Sequence, residues 1–210
     1  MRFCFCKLCT VLTMFDALID ASLVQVVGYC GTLGGMLWPF CRHRLNLLLV
    51  QLATTLCFTI HLGLLGAGTG AALNLLAALQ VLVAIPLGTR PNFRVLYLLI
   101  LPVIAALMAA TWSGVPSLFA AVAMALMSVG RYQTDIVVFR LFMILALPCW
   151  LVHNTLVGSL PAMLSDMVGL AVNLWMLVRS GAVGRLFGGV PAPATMTGAV
   201  ETGVDRPTIP

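Results

Sequence analysis

The sequence predicts an all-α membrane protein with about seven transmembrane helices, and its composition and hydropathy pattern are the reasons. Hydrophobic residues make up 61% of the 210 residues, charged residues only 8%, and the mean hydropathy is +1.10. A soluble domain carries about 25% charged residues because its surface faces water. The apolar runs are continuous rather than alternating, which favours helices over a β-barrel. The composition argues against soluble enzymes, nucleic-acid-binding proteins and secreted disulfide scaffolds. It predicts that the protein is embedded in a lipid bilayer.

Seven apolar runs are candidates for membrane-spanning helices. They lie near residues 20–40, 45–66, 69–88, 95–112, 115–130, 136–157 and 159–179. Most of these runs reach the roughly 17–25 residues that a tilted span needs, whereas the fifth is short. The fourth and fifth meet at a Ser-Gly-Val-Pro sequence, residues 113–116, which predicts a tight turn. Pro148 predicts a kink in the sixth helix because proline removes one helical hydrogen bond.

The spans belong to a single membrane domain, residues 18–180, which has a segment on either side. Residues 1–17 are amphipathic at best and lack the cleavage site of a signal peptide. Met1 and Met14 are both candidate translation starts. The segment 186–210 is rich in glycine, proline, alanine and threonine, which predicts a disordered tail.

The basic residues predict the orientation in the membrane. One set of connections and helix ends contains Arg42, Arg44, Arg90, Arg94, Arg131, Arg179 and Arg185. The opposite set, near residues 61–69, 112–115 and 153–161, contains no lysine, arginine or acid. Since basic residues prefer cytoplasmic loops, we expect the N-terminus outside and the C-terminus in the cytoplasm. The tryptophans also fall near predicted helix ends, as interfacial tryptophans do: Trp38, Trp112, Trp150 and Trp175.

A weak internal repeat is visible in the polar residues. A shift of 92 residues places the segment 61–66, His-Leu-Gly-Leu-Leu-Gly, on 153–158, His-Asn-Thr-Leu-Val-Gly, and pairs Asn74 with Asp166. Upstream, a shift of 89 pairs Arg42 with Arg131, Asn46 with Asp135 and Gln51 with Arg140. We expect the sixth helix to absorb this three-residue difference at Pro148.

The repeat predicts two parallel three-helix units, about 20–88 and 115–179. Three helices is an odd number, so the fourth helix, about 95–112, must cross the membrane to return both units to the same orientation. This 3+1+3 plan is similar to the organisation of the SWEET sugar transporters and PQ-loop proteins. The similarity is one of organisation only, because the chain contains no Pro-Gln dipeptide.

A family resemblance is found at the repeated residues themselves. The stretch 149–159, Cys-Trp-Leu-Val-His-Asn-Thr-Leu-Val-Gly-Ser, followed by Asn173 and Arg179, resembles the bacterial inner-membrane protein family called YgjV. The earlier segment 61–66, with Asn74 after it, resembles the first half of that family's pattern. The resemblance covers roughly residues 20–180 and implies a multi-pass protein of the bacterial inner membrane. It supplies no catalytic residues.

Polar residues inside the spans are the candidate binding residues, because each costs free energy in lipid. Asp166 and Asn173 are seven residues apart and share one helix face. With Gln51 and Asn74 they form the predicted solute-binding set. Alternatively, Asp166 forms an ion pair with Arg140, which lies about one and a half turns inside its helix and otherwise extends to the headgroups.

His61 and His153 lie at the outer ends of the second and sixth predicted helices. Because histidine titrates near neutral pH, the pair is a candidate proton-sensitive gate. The alternative is that each histidine caps its helix or lies at the level of the headgroups.

No catalytic, metal or cofactor site is predicted. The sequence has no HExxH motif, P-loop or nucleophile elbow. The thiols of Cys4, Cys6 and Cys9 fall short of the usual four ligands. Two functions stay open, a small-solute carrier or a non-transporting membrane scaffold or regulatory partner protein, with an intramembrane enzyme as a distant third. Self-association is open in both. Convergence of the four candidate residues on one cavity distinguishes the carrier from the scaffold.

Overall fold

A computed structural model describes residues 23–37, 41 and 43–180 of the chain. All of the secondary structure described there is helical. The helices are α1 (Leu23–Leu37), α2 (Arg44–Leu64), α3 (Gly68–Leu87), α4 (Val95–Leu99), α5 (Leu101–Ala110), α6 (Val115–Tyr132), α7 (Ile136–Leu156) and α8 (Leu160–Arg179), with a 3₁₀ turn at Pro91–Arg94. The predicted segments 1–17 and 186–210 lie outside the described residues.

Six stretches of helix are long and apolar enough to cross a membrane. They are 18 to 21 residues long, with mean hydropathies between 1.4 and 2.3, and α4 and α5 together form one of them, Asn92–Ala110. The described part of α1 is a shorter apolar helix. The predicted all-α membrane architecture is therefore confirmed, and the six spans begin and end within three residues of the predicted bounds.

The fourth span is divided into two helices at Ile100, a break that the hydropathy pattern does not predict. Pro102 follows, two residues into α5, and has no N–H to donate to the carbonyl of Leu98. By contrast, α7 is one helix from Ile136 to Leu156 with Pro148 inside it.

The α2–α3 and α7–α8 hairpins have the same local geometry. The bounds of α2 and α3 coincide with those of α7 and α8 under a shift of 92 residues. Gly66 (φ +76°) and Gly158 (φ +75°) take the left-handed conformation that glycine tolerates best. The next residue in each turn donates its N–H at 2.9 Å, Ala67 to Leu62 and Ser159 to Asn154. One shift of 92 residues relates both ends of α2 to both ends of α7, the helix that contains Pro148. The expected change in the shift from 89 to 92 residues at Pro148 is therefore wrong.

Small residues bring α1 close to α2 and α8. A side chain at Gly31 would lie 3.2 Å from the Phe58 ring, and one at Gly35 would lie 2.8 Å from the Ser165 hydroxyl. Thr32 donates its hydroxyl to the carbonyl of Pro161 at 2.7 Å. On the other side of the bundle, α3 packs against α6. The two hairpins are thus each contacted by a helix of the other half of the chain.

The two ends of the bundle differ in their polar residues. We call the end where α2 and α7 terminate and α3, α6 and α8 begin the histidine end, since His61 and His153 lie there. The opposite end, the arginine end, holds Arg44 at the start of α2, which donates to the carbonyl of Ala84. The connections at the histidine end contain no charged residue.

Candidate functional site

A cavity of about 410 Å³ lies inside the bundle. Its wall includes all four residues of the predicted solute-binding set: Gln51, Asn74, Asp166 and Asn173. They come from α2, α3 and α8, and α1, α4, α6 and α7 also contribute to the wall. Three helices therefore turn their polar side chains toward one internal space.

Asp166 is bound to an amide. Asn154 donates Nδ2 to Asp166 Oδ2 at 2.7 Å, which joins the histidine-end halves of α7 and α8. The Asn154 side chain is buried, only 3% exposed, and also lines the cavity. Among the described residues, Asp166 Oδ1 has no partner, so one carboxyl oxygen is available to a ligand.

The alternative ion pair between Arg140 and Asp166 is not formed. The partner of Asp166 is Asn154, which lies 14 residues from Arg140 on α7. At 1.5 Å per residue this separation is about 21 Å, far beyond the reach of an arginine side chain. Arg140 is half-buried near the arginine end and does not line the cavity.

The asparagines of the set are oriented by their own helices. Asn74 donates Nδ2 to the Gly70 carbonyl at 3.0 Å, and Asn173 donates Nδ2 to the Gly169 carbonyl at 2.8 Å. These bonds use one amide hydrogen of each residue. The carbonyl oxygen of each side chain keeps no partner among the described residues. Both asparagines therefore offer a hydrogen-bond acceptor to the cavity.

Gln51 is the polar residue of α2 on the cavity wall, with Thr54 and Thr55 beside it. Both threonine hydroxyls donate to carbonyls one turn earlier, Thr54 to Val50 at 2.8 Å and Thr55 to Gln51 at 2.9 Å. The Gln51 amide makes no hydrogen bond to the described residues. Its NH₂ group and its oxygen are therefore both available for a solute.

Arg131 is a cavity residue that the sequence analysis missed. Its position near a helix end predicted a cytoplasmic loop charge, yet its side chain is half-buried and lines the cavity. Nη1 donates to Gln80 Oε1 at 2.6 Å, and Gln80 is only 2% exposed. A signal was present, because Met124, Met127 and Arg131 recur at helical spacing on one face of α6.

His61 links three helices at the histidine end. Nδ1 lies 2.8 Å from the carbonyl of Val24, so the ring nitrogen is the donor. Nε2 lies 2.8 Å from the Ser159 hydroxyl, which donates to it. His61 is fully buried. His61 therefore lies inside the bundle, where it connects α2 to α1 and to the start of α8.

His153 occupies the corresponding place in the second half of the chain. Its Nδ1 donates to the carbonyl of Pro116 at 2.8 Å, and the side chain is 1% exposed. Nε2 is buried without a hydrogen-bond partner among the described residues. Trp150 packs edge-on against it at 5.4 Å and is itself buried inside the bundle rather than exposed on its surface.

The two histidine bonds are equivalent under the repeat shift. Each joins residues 37 apart, and 92 separates both His61 from His153 and Val24 from Pro116. Ser159, the partner of His61 Nε2, corresponds to Ala67, which has no hydroxyl.

The fold and the cavity define the class of protein: an integral membrane protein whose helices surround an internal cavity with both polar and apolar side chains in its wall. The chain matches the profile of the Imp-YgjV family, described as bacterial inner membrane protein, over residues 22–182. It belongs to that family, and the resemblance seen in the sequence is confirmed. The protein is therefore a multi-pass protein of the bacterial inner membrane. No curated protein and no solved structure matches the chain.

Proposed function

We propose that the protein is a carrier for a small polar solute, which binds in the internal cavity. The observation that supports this most directly is the convergence of Gln51, Asn74, Asp166 and Asn173 on one space of about 410 Å³. Polar side chains that only hold helices together need to meet one neighbour each. Here an acid, two amide oxygens and a free glutamine face the same cavity, an arrangement typical of a solute site.

The transport mechanism we propose uses two parallel three-helix repeats. The first repeat is α1 to α3 and the second is α6 to α8, with α4 and α5 as the inverting span between them. The matching helix bounds, the matching turns and the two equivalent histidine bonds support this arrangement. A carrier built from repeats exposes a central site alternately to each side when one repeat moves against the other.

The conformation described here favours closure at the histidine end. His61, Leu62, Leu73 and His153 are each no more than 1% exposed there. Toward the arginine end the cavity wall is formed by half-buried residues, among them Leu47, Arg131 and Phe139. We therefore assign the histidines to the closed gate, with the arginine end facing the cytoplasm, as the distribution of basic residues predicts.

Uptake into proteoliposomes tests this function with a matched pair of variants. Between residues 21 and 200 the sequence contains only two acids, Asp166 on the cavity wall and Asp135, the exposed N-cap of α7. In Asp166→Asn we expect flux to fall about tenfold or more, because a charged hydrogen bond to the solute is lost. Asp135→Asn should transport like the native protein, since asparagine is also a good N-cap.

The outcomes separate the carrier from the scaffold. Equal flux in native protein and Asp166→Asn across a range of pH would remove Asp166 from the mechanism. The second outcome concerns correctly folded native protein tested with a panel of sugars, amino acids, hydroxy acids and amines. If it transports none of them, the result favours the scaffold that regulates a partner protein.

A further inference from the structure

We propose that the solute is an anion-bearing molecule whose carboxylate or phosphate group binds Arg131. This inference rests on the proposed carrier function and names the chemical class that the cavity selects. Arg131 is the one cation among the described residues that line the cavity. A guanidinium presents its N–H groups in a planar fork that matches the two oxygens of an oxyanion.

No carboxylate in the part of the chain that the structure describes pairs with Arg131. Its one hydrogen bond to the described residues goes to a neutral amide, the side-chain oxygen of Gln80. Between residues 21 and 200 the sequence contains only two acids, Asp135 and Asp166. Asp135 Oδ1 accepts the backbone N–H groups of Val137 and Val138 and caps α7, and Asp166 is bound by Asn154. A half-buried guanidinium with four unused N–H groups is a strong site for an anion.

Gln80 holds the guanidinium in place rather than binding the solute. Its Oε1 is used by Arg131, and its Nε2 is buried without a partner among the described residues. The amide is 2% exposed and is not part of the cavity wall. Burial of the Gln80 amide on α3 costs free energy, and among the described residues its side chain bonds only to Arg131. Gln80 therefore fixes the direction of the Arg131 side chain on α6.

The rest of the cavity wall complements such a solute. Away from Arg131, the free acceptors include Asp166 Oδ1 and the side-chain oxygens of Gln51, Asn74 and Asn173, and the free donors belong to neutral groups only. Acceptors call for donors on the ligand, either hydroxyl or ammonium groups. The cavity thus fits a solute with an oxyanion at one end and hydrogen-bond donors at the other, as in a hydroxy acid or an amino acid.

Thermal unfolding of the purified protein in detergent tests the proposal without requiring flux. The probes are lactate, alanine, inorganic phosphate, ethanolamine and glycerol, each titrated while the midpoint of unfolding is followed. We expect lactate or alanine to raise the midpoint, and ethanolamine and glycerol to leave it unchanged. In Arg131→Gln the concentration of lactate or alanine that gives half of the shift in midpoint should rise about tenfold or more. Arg140→Gln, which removes a half-buried arginine outside the cavity, should bind like the native protein.

If Arg131→Gln does not fold, Arg131→Lys replaces it in the test. This variant keeps the positive charge but loses the planar fork, so we expect it to bind the acids more weakly than the native protein does. Unchanged affinity in the folded variant would overturn the proposal, as would native protein that binds none of the acids or phosphate. Stabilisation by phosphatidylglycerol alone, lost in Arg131→Gln, would also overturn it and assign the guanidinium to lipid. Acid binding without flux would uphold the anion site and reject the carrier. Flux of glycerol without binding or flux of the acids would uphold the carrier and reject the anion site.

Discussion

Asp166 and Arg131 are the charged side chains that line the cavity among the described residues, and each is bound by a neutral amide. Asn154 binds the carboxyl group and Gln80 binds the guanidinium. A neutral partner satisfies part of a charged group's hydrogen-bonding capacity and leaves its charge free to interact with a ligand. An ion pair such as Arg140 with Asp166 would neutralise both groups. The pairing that the structure shows leaves both charges without an ion-pair partner among the described residues, as the proposed solute site requires.

The Asn154–Asp166 pair gives a prediction for stability. Asn154→Leu removes the partner of a partly buried carboxyl group, so we expect the free energy of unfolding to fall by about 1–3 kcal/mol. Adding Asp166→Leu removes the unpaired group, and the double variant should recover most of that loss. Denaturant unfolding in detergent micelles measures all three variants.

Thr155→Leu is the matched control, because Thr155 is exposed next to Asn154 and bonds only the carbonyl of Leu151 in its own helix. Its effect should stay within about 0.5 kcal/mol. Strictly additive losses in the double variant would show that the two side chains do not act as a pair.

At the residue scale, sequence reasoning identifies the polar atoms but not their partners. Asp166 and Asn173 are seven residues apart, and that spacing alone places them on one face. Whether Asp166 meets Arg140 or Asn154 depends on the rotation of α7 against α8, which no local pattern encodes. Arg131 was counted with the loop charges because the positive-inside rule weighs basic residues by location in sequence and not by side-chain direction.

At the scale of elements, the two hairpins differ at their helix caps. Ser159 is the N-cap of α8, and its hydroxyl accepts from the Ala162 N–H while it donates to His61 Nε2. Ala67 is the N-cap of α3 and makes no side-chain cap bond. The start of α3 therefore lacks the side-chain cap that α8 has, and His153 Nε2 has no partner among the described residues.

Ala67→Ser should restore both interactions. Under the repeat relation the new hydroxyl lies next to His153 Nε2 and caps α3, so we expect the protein to gain about 1–2 kcal/mol in free energy of unfolding. The converse variant, Ser159→Ala, should lose about 1–3 kcal/mol because it leaves a buried ring nitrogen without its donor. Both are measured by denaturant unfolding in micelles. If Ala67→Ser is neutral or destabilising while Ser159→Ala is harmful, the hairpins are not equivalent and the repeat is rejected.

The helix bounds were predictable because lipid demands continuous apolar runs that end at polar or turn residues. The break at Ile100 was not, since α4 and α5 belong to one apolar stretch and the proline of that stretch lies two residues into α5. Pro148 shows the opposite case, where a proline lies inside a helix that continues. Whether proline ends a helix depends on the neighbours that take up the freed carbonyl, which is a property of packing.

At the scale of the whole molecule, the polarity of the bundle predicts its orientation. Each described arginine lies in the half of the bundle toward the arginine end, whereas the histidine-end connections carry no charge. The proposed gate is then expected to face the periplasm, and the half-buried wall around Arg131 the cytoplasm. The anion site and the orientation together predict that a solute enters or leaves the observed conformation from the cytoplasmic side.

Cysteine labelling in intact cells tests this orientation. In a variant whose seven native cysteines are replaced, Ser113→Cys places a thiol in an exposed histidine-end connection, and Thr134→Cys places one in an exposed arginine-end connection. We expect a membrane-impermeant maleimide to label Ser113→Cys in intact cells and Thr134→Cys only after lysis, because arginine-rich connections stay in the cytoplasm. Each variant is the control for the other, since both thiols should react equally in detergent. The reverse pattern would place the closed gate in the cytoplasm and invert the proposed path of the solute.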